Sequence, residues 1–259
     1  MRARHTVLIL VVAIMCGCAA RSDHIAEGQH DVIFLVPGVA GPSRAYQRVI
    51  DGLHAGGVDR PVRVIAWGAP PLLFFMNFQT ESIHRRAEAE LAKMISDWRK
   101  QHPAAQIDLI GHSAGGGVIL GALKQLDVAV RVRAVVLLAP SVSPTYDLAP
   151  ALARVDDRIH NFHSDRDTFF LSWRTGTFGS YDNVKTRAAG NRGFGLAKLQ
   201  PSLASRMVQH AYDPRWRDVG NDGGHFGTVA YDFARVVIAP LLLSPSSAPP
   251  SRSSAATRP

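Results

Sequence analysis

The chain has 259 residues, 46% of them hydrophobic and 19% charged, with a formal charge of +8. That length suits one large α/β or β domain, or two small ones, and the apolar fraction excludes a disordered chain. Only two cysteines occur, Cys16 and Cys18, both near the N-terminus, which excludes a disulfide scaffold. Basic residues are spread along the chain without a Lys/Arg run, so no nucleic-acid footprint is visible and no nucleic-acid partner is expected.

At the N-terminus, Arg2 and Arg4 precede an apolar run from Val7 to Met15, closed by Cys16-Gly-Cys-Ala-Ala20. A charged start, a short apolar stretch and small residues predict a secretory signal peptide over 1–17. The run is too short to span a bilayer, which takes about 20 apolar residues. Gly17-Cys18 resembles a bacterial lipoprotein signal, in which the Cys is lipidated and becomes the new N-terminus. Met15 stands where that family prefers Leu, and an ordinary cleaved signal is the alternative. Cleavage before Cys18 removes two arginines and no acid, leaving +6. An acylated Cys18 on a basic body would hold to an anionic membrane surface. The resemblance implies an exported protein of the cell envelope, lipid-anchored with the outer membrane favoured by Ala20, or else periplasmic.

Residues 18–30 are polar and patternless and read as a tether. Residues 31–243 read as one domain without internal repeats. Residues 244–259, almost entirely Ser, Pro, Ala and Arg, have nothing to bury and are expected to be disordered. Within the domain, Asp31–Val36 is a short apolar run closed by Pro37-Gly38 and predicts a buried strand, as does Val62–Ala66. Ile83, Ala87, Leu91, Met94, Ile95 and Trp98 recur at helical spacing and predict a helix over 81–101. Strands follow at 107–110, 134–138 and 158–162, and more weakly at 206–210. Helices are expected at 114–126 and 227–243, the last tolerating Pro240. Wholly apolar strands separated by helices imply an α/β fold, with a mostly parallel sheet covered on both faces.

Gly111-His-Ser-Ala-Gly115 sits where an apolar strand ends and a helix begins, the context a nucleophile elbow requires. A serine on so tight a turn lifts its hydroxyl above the sheet. Side chains two positions to either side would collide with the turn, which accounts for Gly111 and Gly115. The helix start beneath Ser113 supplies N–H groups and a positive dipole end for developing negative charge.

From this motif onward the chain resembles the α/β-hydrolase fold, in its lipase and esterase branch, over roughly residues 31–243. The resemblance implies three further features. An oxyanion turn is expected at Phe34-Leu-Val-Pro-Gly-Val-Ala-Gly41, with the backbone N–H groups of Val39 and Ala114 as donors. An acid is expected in Phe162-His-Ser-Asp-Arg-Asp-Thr-Phe169, where Asp167 matches and Asp165 is the rival. A base is expected in Gly220-Asn-Asp-Gly-Gly-His-Phe-Gly227, where His225 precedes the last helix and His210 is the alternative. The order Ser113, Asp167, His225 is that of this fold. His112 is read as structural, pointing away from the reaction. A metal at His160, His163, Asp165 and Asp167 is disfavoured, because residues 160 and 163 of one strand face opposite sides.

The resemblance implies a serine hydrolase cleaving carboxylic esters through an acyl-enzyme on Ser113. Its partners would be a small-molecule or lipid ester and, through the anchor, a membrane. The alternatives are an acyltransferase with the same triad and a non-catalytic envelope binding protein on a hydrolase scaffold. The apolar segment 69–78 is expected to line an acyl pocket, form a lid or pack as core, with Trp173, Phe178 and Tyr181 adding to the wall. No dinucleotide, P-loop or zinc-ligand spacing occurs, so no cofactor and no metal is implied.

Overall fold

The computed structural model describes residues 30–68, 77, 80–167 and 180–243. The signal-peptide segment, the C-terminal tail, Trp173, Phe178 and all of 69–78 except Asn77 lie outside the described residues. Six strands, β1 (Val32–Val36), β2 (Val62–Val64), β3 (Ile107–His112), β4 (Ala134–Leu138), β5 (Ile159–His163) and β6 (Met207–Ala211), form one sheet in the order β2-β1-β3-β4-β5-β6. Every pairing is parallel.

Helices cover both faces because the strands are apolar on both. Val32, Phe34 and Val36 of β1 join Ile107 and Leu109 of β3 on one face. Against them pack α2 (Glu81–Gln101), through Ala87, Leu91, Ile95 and Trp98, and α3 (Ala114–Gln125). Ile33 and Leu35 of β1 join Ile110, Val136, Leu138 and Phe162 on the other face. That face is covered by α1 (Arg44–Ala55) and by the closing helix. The expectation of a parallel sheet with helices on both faces holds.

Sequence reading missed α1. Its signal was present, since Tyr46, Val49, Ile50 and Leu53 recur at three- and four-residue spacing and are buried. The strand β3 runs two residues further than expected, up to His112, so that Ser113 follows it directly. The closing segment is less regular than a single helix. A 3-10 turn at Gly227–Val229 leads into an α-turn at Tyr231–Phe233, a π-turn at Ala234–Ile238 and an α-turn at Ala239–Leu243. Pro240 has no N–H to offer the carbonyl four residues back, and the widened π-turn lies immediately before that break. Among the described residues, no helix is long and apolar enough to cross a membrane.

The chain leaves β1 for β2 on one side and returns to β3 on the other, so the winding direction reverses between β1 and β3. In open α/β sheets such a switch point, beyond the strand C-termini, is where ligands bind. The opposite end of the sheet is closed by charge. Asp108 is fully buried between Arg60 and Arg133, and both arginines also donate to the Leu242 carbonyl at 2.7 Å. These bonds fasten the last turn of the closing helix to the foot of β3, at the opposite end of that strand from Ser113.

On the outer strands, His160 Nδ1 lies 3.0 Å from His210 Nε2, and the His210 ring stacks on Phe162. Burial, then the neighbouring His210, holds His160 at about 4. An unfolded chain therefore binds a proton that the folded one refuses between pH 6.5 and about 4. Stability from this group is present above that window and is lost as the pH falls through it. His160→Gln is expected to shrink the difference in urea midpoint between pH 7 and pH 4.5; an unchanged difference would assign acid sensitivity to other groups.

Candidate active site

The turn carrying Ser113 stands at the C-terminus of β3, between strand and α3. Ser113 has φ 54° and ψ −124°, a region that costs a side-chain-bearing residue about 1–3 kcal/mol. Neighbouring backbone holds it there. Ser113 N donates to Leu138 O at 2.9 Å, while Ser113 O accepts from Gly116 N at 3.1 Å and Ser141 N at 3.2 Å. A Cβ on Gly111 would sit 2.9 Å from the Gly116 nitrogen, and one on Gly115 would strike the Val36 and Pro37 carbonyls. Only glycine lets the helix start come this close to the end of β1.

The turn after β1 faces that helix start. Three side chains occupy the backbone groups around Val39. Trp67 Nε1 donates to Pro37 O at 2.8 Å, Gly38 N donates to Tyr46 Oη at 2.8 Å, and Asn77 Nδ2 donates to Val39 O at 2.9 Å. A bond from Gly41 N to Gly38 O at 2.9 Å closes the turn. Among the described residues, no hydrogen bond engages the N–H of Val39 or of Ala114. For Ala114 this is a property of the helix start, where the first N–H groups have no partner within the helix.

The two candidate acids separate by burial. Asp167 is 3% exposed, and its Oδ2 lies 2.6 Å from His225 Nδ1. Asp165, two residues earlier, faces solvent. The turn that aims Asp167 inward is built by Ser164 and Asn191. Ser164 O accepts from Asp167 N at 3.2 Å, and Asn191 Nδ2 donates to the carbonyls of Ser164 and Asp167 at 3.0 and 3.3 Å. His225, 7% exposed, sits in a loop shaped by Asn221, whose Oδ1 accepts from Gly223 N at 3.0 Å. The alternative base, His210, belongs to β6 and is engaged with His160.

The loop carrying His225 meets the elbow through His112. The two imidazole rings lie 4.8 Å apart, and His112 Nε2 is 3.0 Å from the His225 carbonyl. Phe226 stands beside them, 56% exposed, with its ring 5.3 Å from that of His225. Tyr181, expected as pocket wall, is instead buried among the helices. It stacks on His84 of α2 at 4.1 Å and donates to Glu88 Oε1 at 2.9 Å. Burial, then the Glu88 carboxylate, pushes its hydroxyl well above the ordinary tyrosine value.

Tyr46, Trp67, Asn77 and Asn191 were not singled out from the sequence. Each acts through a partner distant in the chain, and no local spacing announces such a contact. For Tyr46 a weak signal existed, its place on the apolar stripe of α1.

A serine on a strained strand–helix turn, set at the switch point of a doubly covered parallel sheet, is the architecture of the α/β-hydrolase fold. Residues 47–212 match the family described as alpha/beta hydrolases of unknown function (DUF900), and the chain belongs to that family. No curated protein matches the sequence. Among solved structures it is similar to Aspergillus fumigatus lipase B, at 15% identity and a TM-score of 0.51, over 85% of this chain and 54% of that one. The chain thus spans about half the length of that lipase. It is similar to TT1662 from Thermus thermophilus at 15% identity and a TM-score of 0.51, over 84% of this chain and 90% of that one. At such identities the likeness is one of fold.

Proposed function

We propose that the protein is a serine hydrolase that cleaves carboxylic esters through an acyl-enzyme on Ser113. The observation that carries this reading is the buried Asp167–His225 pair, whose imidazole lies 4.8 Å from that of His112, the residue before a serine held in a strained elbow. His225 takes the Ser113 proton as Oγ adds to the ester carbonyl carbon. Asp167 holds the imidazole with its proton on Nδ1, so that Nε2 is free to accept, and it stabilises the imidazolium that forms. The N–H groups of Val39 and Ala114 receive the oxyanion of the tetrahedral intermediate; one such donor is typically worth about 2.7–4 kcal/mol. Collapse expels the alcohol, which takes its proton from His225. Water then repeats the sequence and releases the acid. The exposed Phe226 ring beside the base supports an apolar group on the substrate.

The test is fluorophosphonate labelling of the wild-type protein beside Ser113→Ala, read by intact mass. One adduct that disappears in the variant supports the reading, and an ester chain-length series then defines the pocket. A folded wild-type protein that takes no adduct would favour a non-catalytic binding protein on the same scaffold.

The N-terminal residues support a further part of the proposal, that the mature protein is anchored to a membrane through lipid on Cys18. Cys18→Ser is expected to abolish incorporation of labelled fatty acid during expression. Continued labelling of that variant would sink the lipoprotein reading.

A further inference from the structure

His112 lies beside the nucleophile, fully enclosed, with a polar partner on each ring nitrogen. Tyr46 Oη is 2.9 Å from its Nδ1, and the His225 carbonyl oxygen is 3.0 Å from its Nε2. The same Tyr46 oxygen receives the Gly38 amide at 2.8 Å. The sense of each bond follows from what the end groups are able to do. A carbonyl oxygen only accepts, so His112 Nε2 carries the proton and donates it to His225 O. Its Nδ1 is then a bare lone pair and accepts from the Tyr46 hydroxyl. The amide of Gly38 only donates, so it gives its proton to the Tyr46 oxygen. One directed chain results, from Gly38 N–H through Tyr46 and His112 to the His225 backbone.

The two ends of that chain are the two loops the proposed chemistry needs in register. Gly38 precedes Val39 in the oxyanion turn, and a Cβ on Gly38 would lie 3.2 Å from the Ser113 Cβ. At the other end, the His225 backbone carries the imidazole that Asp167 holds. These loops are 187 residues apart in sequence, and α1 supplies the tyrosine that connects them. Both members stay neutral throughout the working range, which keeps the chain's direction. Burial, then the nearby His225, lowers His112 to about 3, and burial raises Tyr46 to about 12. A neutral His112 also adds no opposing charge when its neighbour 4.8 Å away becomes an imidazolium during turnover.

We propose that Tyr46 and His112 form a positioning relay that joins the oxyanion turn to the His225 loop and sets the Val39 N–H and the His225 ring around Ser113 as one unit. This rests on the hydrolase reading of the site. Neither residue touches the reacting atoms; each acts by holding backbone that does. His112, expected to be structural because it points away from the reaction, is the link between two of the reacting groups.

The test compares wild type, Tyr46→Phe, His112→Gln, His112→Leu and the Tyr46→Phe/His112→Leu double variant, all in the full chain. Four readouts are taken: the rate of Ser113 phosphonylation by a fluorophosphonate, kcat and KM on a short ester, the titration midpoint of the His225 ring by NMR, and the thermal midpoint. A displacement of about 1 Å at an active site costs on the order of 100-fold in rate, so Tyr46→Phe and His112→Leu are each expected to lower kcat and labelling about 10- to 100-fold, with KM changed less than about threefold. His112→Gln, which keeps an N–H for the His225 carbonyl, is expected to fall between His112→Leu and wild type. The double variant is expected to match the worse single one, because both break the same chain. Rates within about twofold of wild type in Tyr46→Phe, or additive losses in the double variant, overturn the proposal. If His112→Leu fails to fold, Tyr46→Phe decides alone, since it removes one oxygen atom. A wild-type protein that takes no label contradicts the hydrolase reading instead. The relay is then judged by the His225 titration, whose midpoint moves in Tyr46→Phe if the relay exists and stays in place if it does not.

Discussion

Ser113→Ala and His225→Ala are each expected to reduce ester turnover about 10⁶-fold while leaving the fold intact, the scale on which triad members act as a unit. The elbow is held by backbone bonds to Leu138, Gly116 and Ser141, none of which involves the hydroxyl. Alanine keeps the same backbone and loses only the nucleophilic oxygen. Removing His225 leaves the hydroxyl with its proton at neutral pH, which stops attack as surely as removing the oxygen. The double variant is therefore expected to be no slower than either single one, since the second change deletes a group already idle. Paired measurements of kcat and urea midpoint check this. Turnover above about 1% of wild type in a well-folded Ser113→Ala protein would mean that another residue carries the chemistry.

Asp167→Asn is expected to lower kcat about 10⁴-fold, whereas Asp165→Asn leaves it within about twofold of wild type. The asymmetry follows from the 2.6 Å contact between Asp167 Oδ2 and His225 Nδ1. A carboxylate accepts a hydrogen bond from Nδ1–H, which keeps the ring proton on Nδ1 and leaves Nε2 bare to receive the serine proton. An amide that turns its NH₂ toward Nδ1 donates instead, favouring the tautomer with Nε2 protonated and useless as a base. Asp165 is exposed to solvent on the same turn. Kinetics of the two variants on one ester decide between them, and the reverse result would move the acid to Asp165.

Much of this architecture was legible in the sequence because the signals are local. A strand buried on both faces has to be apolar throughout, so Val32–Val36 and Ala134–Leu138 stand out as unbroken runs. The stripe of α2 repeats every three or four residues over six turns, long enough to be unambiguous. The elbow is equally local, since the steric demands on Gly111 and Gly115 arise within one tight turn and the strand it closes. The short helix α1 carries the same kind of stripe over fewer turns. The π-turn before Pro240 depends on how the carbonyls left without a donor repack, which no spacing rule encodes.

By itself the sequence determined the layered α/β class, the strand–turn–helix that presents Ser113, and a short set of candidate acids and bases in the order this fold uses. The first two follow from chain stereochemistry and from the periodicity of burial, which act over a few residues, and the candidate acids and bases follow from the resemblance that the Ser113 motif carries. Tertiary structure decided which candidates meet. It turned the Asp167 carboxylate inward against His225, on a turn held by Asn191 24 residues away, left Asp165 facing solvent, and engaged His210 with His160. It also made His112 a link between the Tyr46 hydroxyl and the His225 backbone, across 66 and 113 residues. Hydrogen-bond geometry is fixed to a few tenths of an ångström by the packing of whole helices against the sheet, so those choices are settled only once the sheet is assembled.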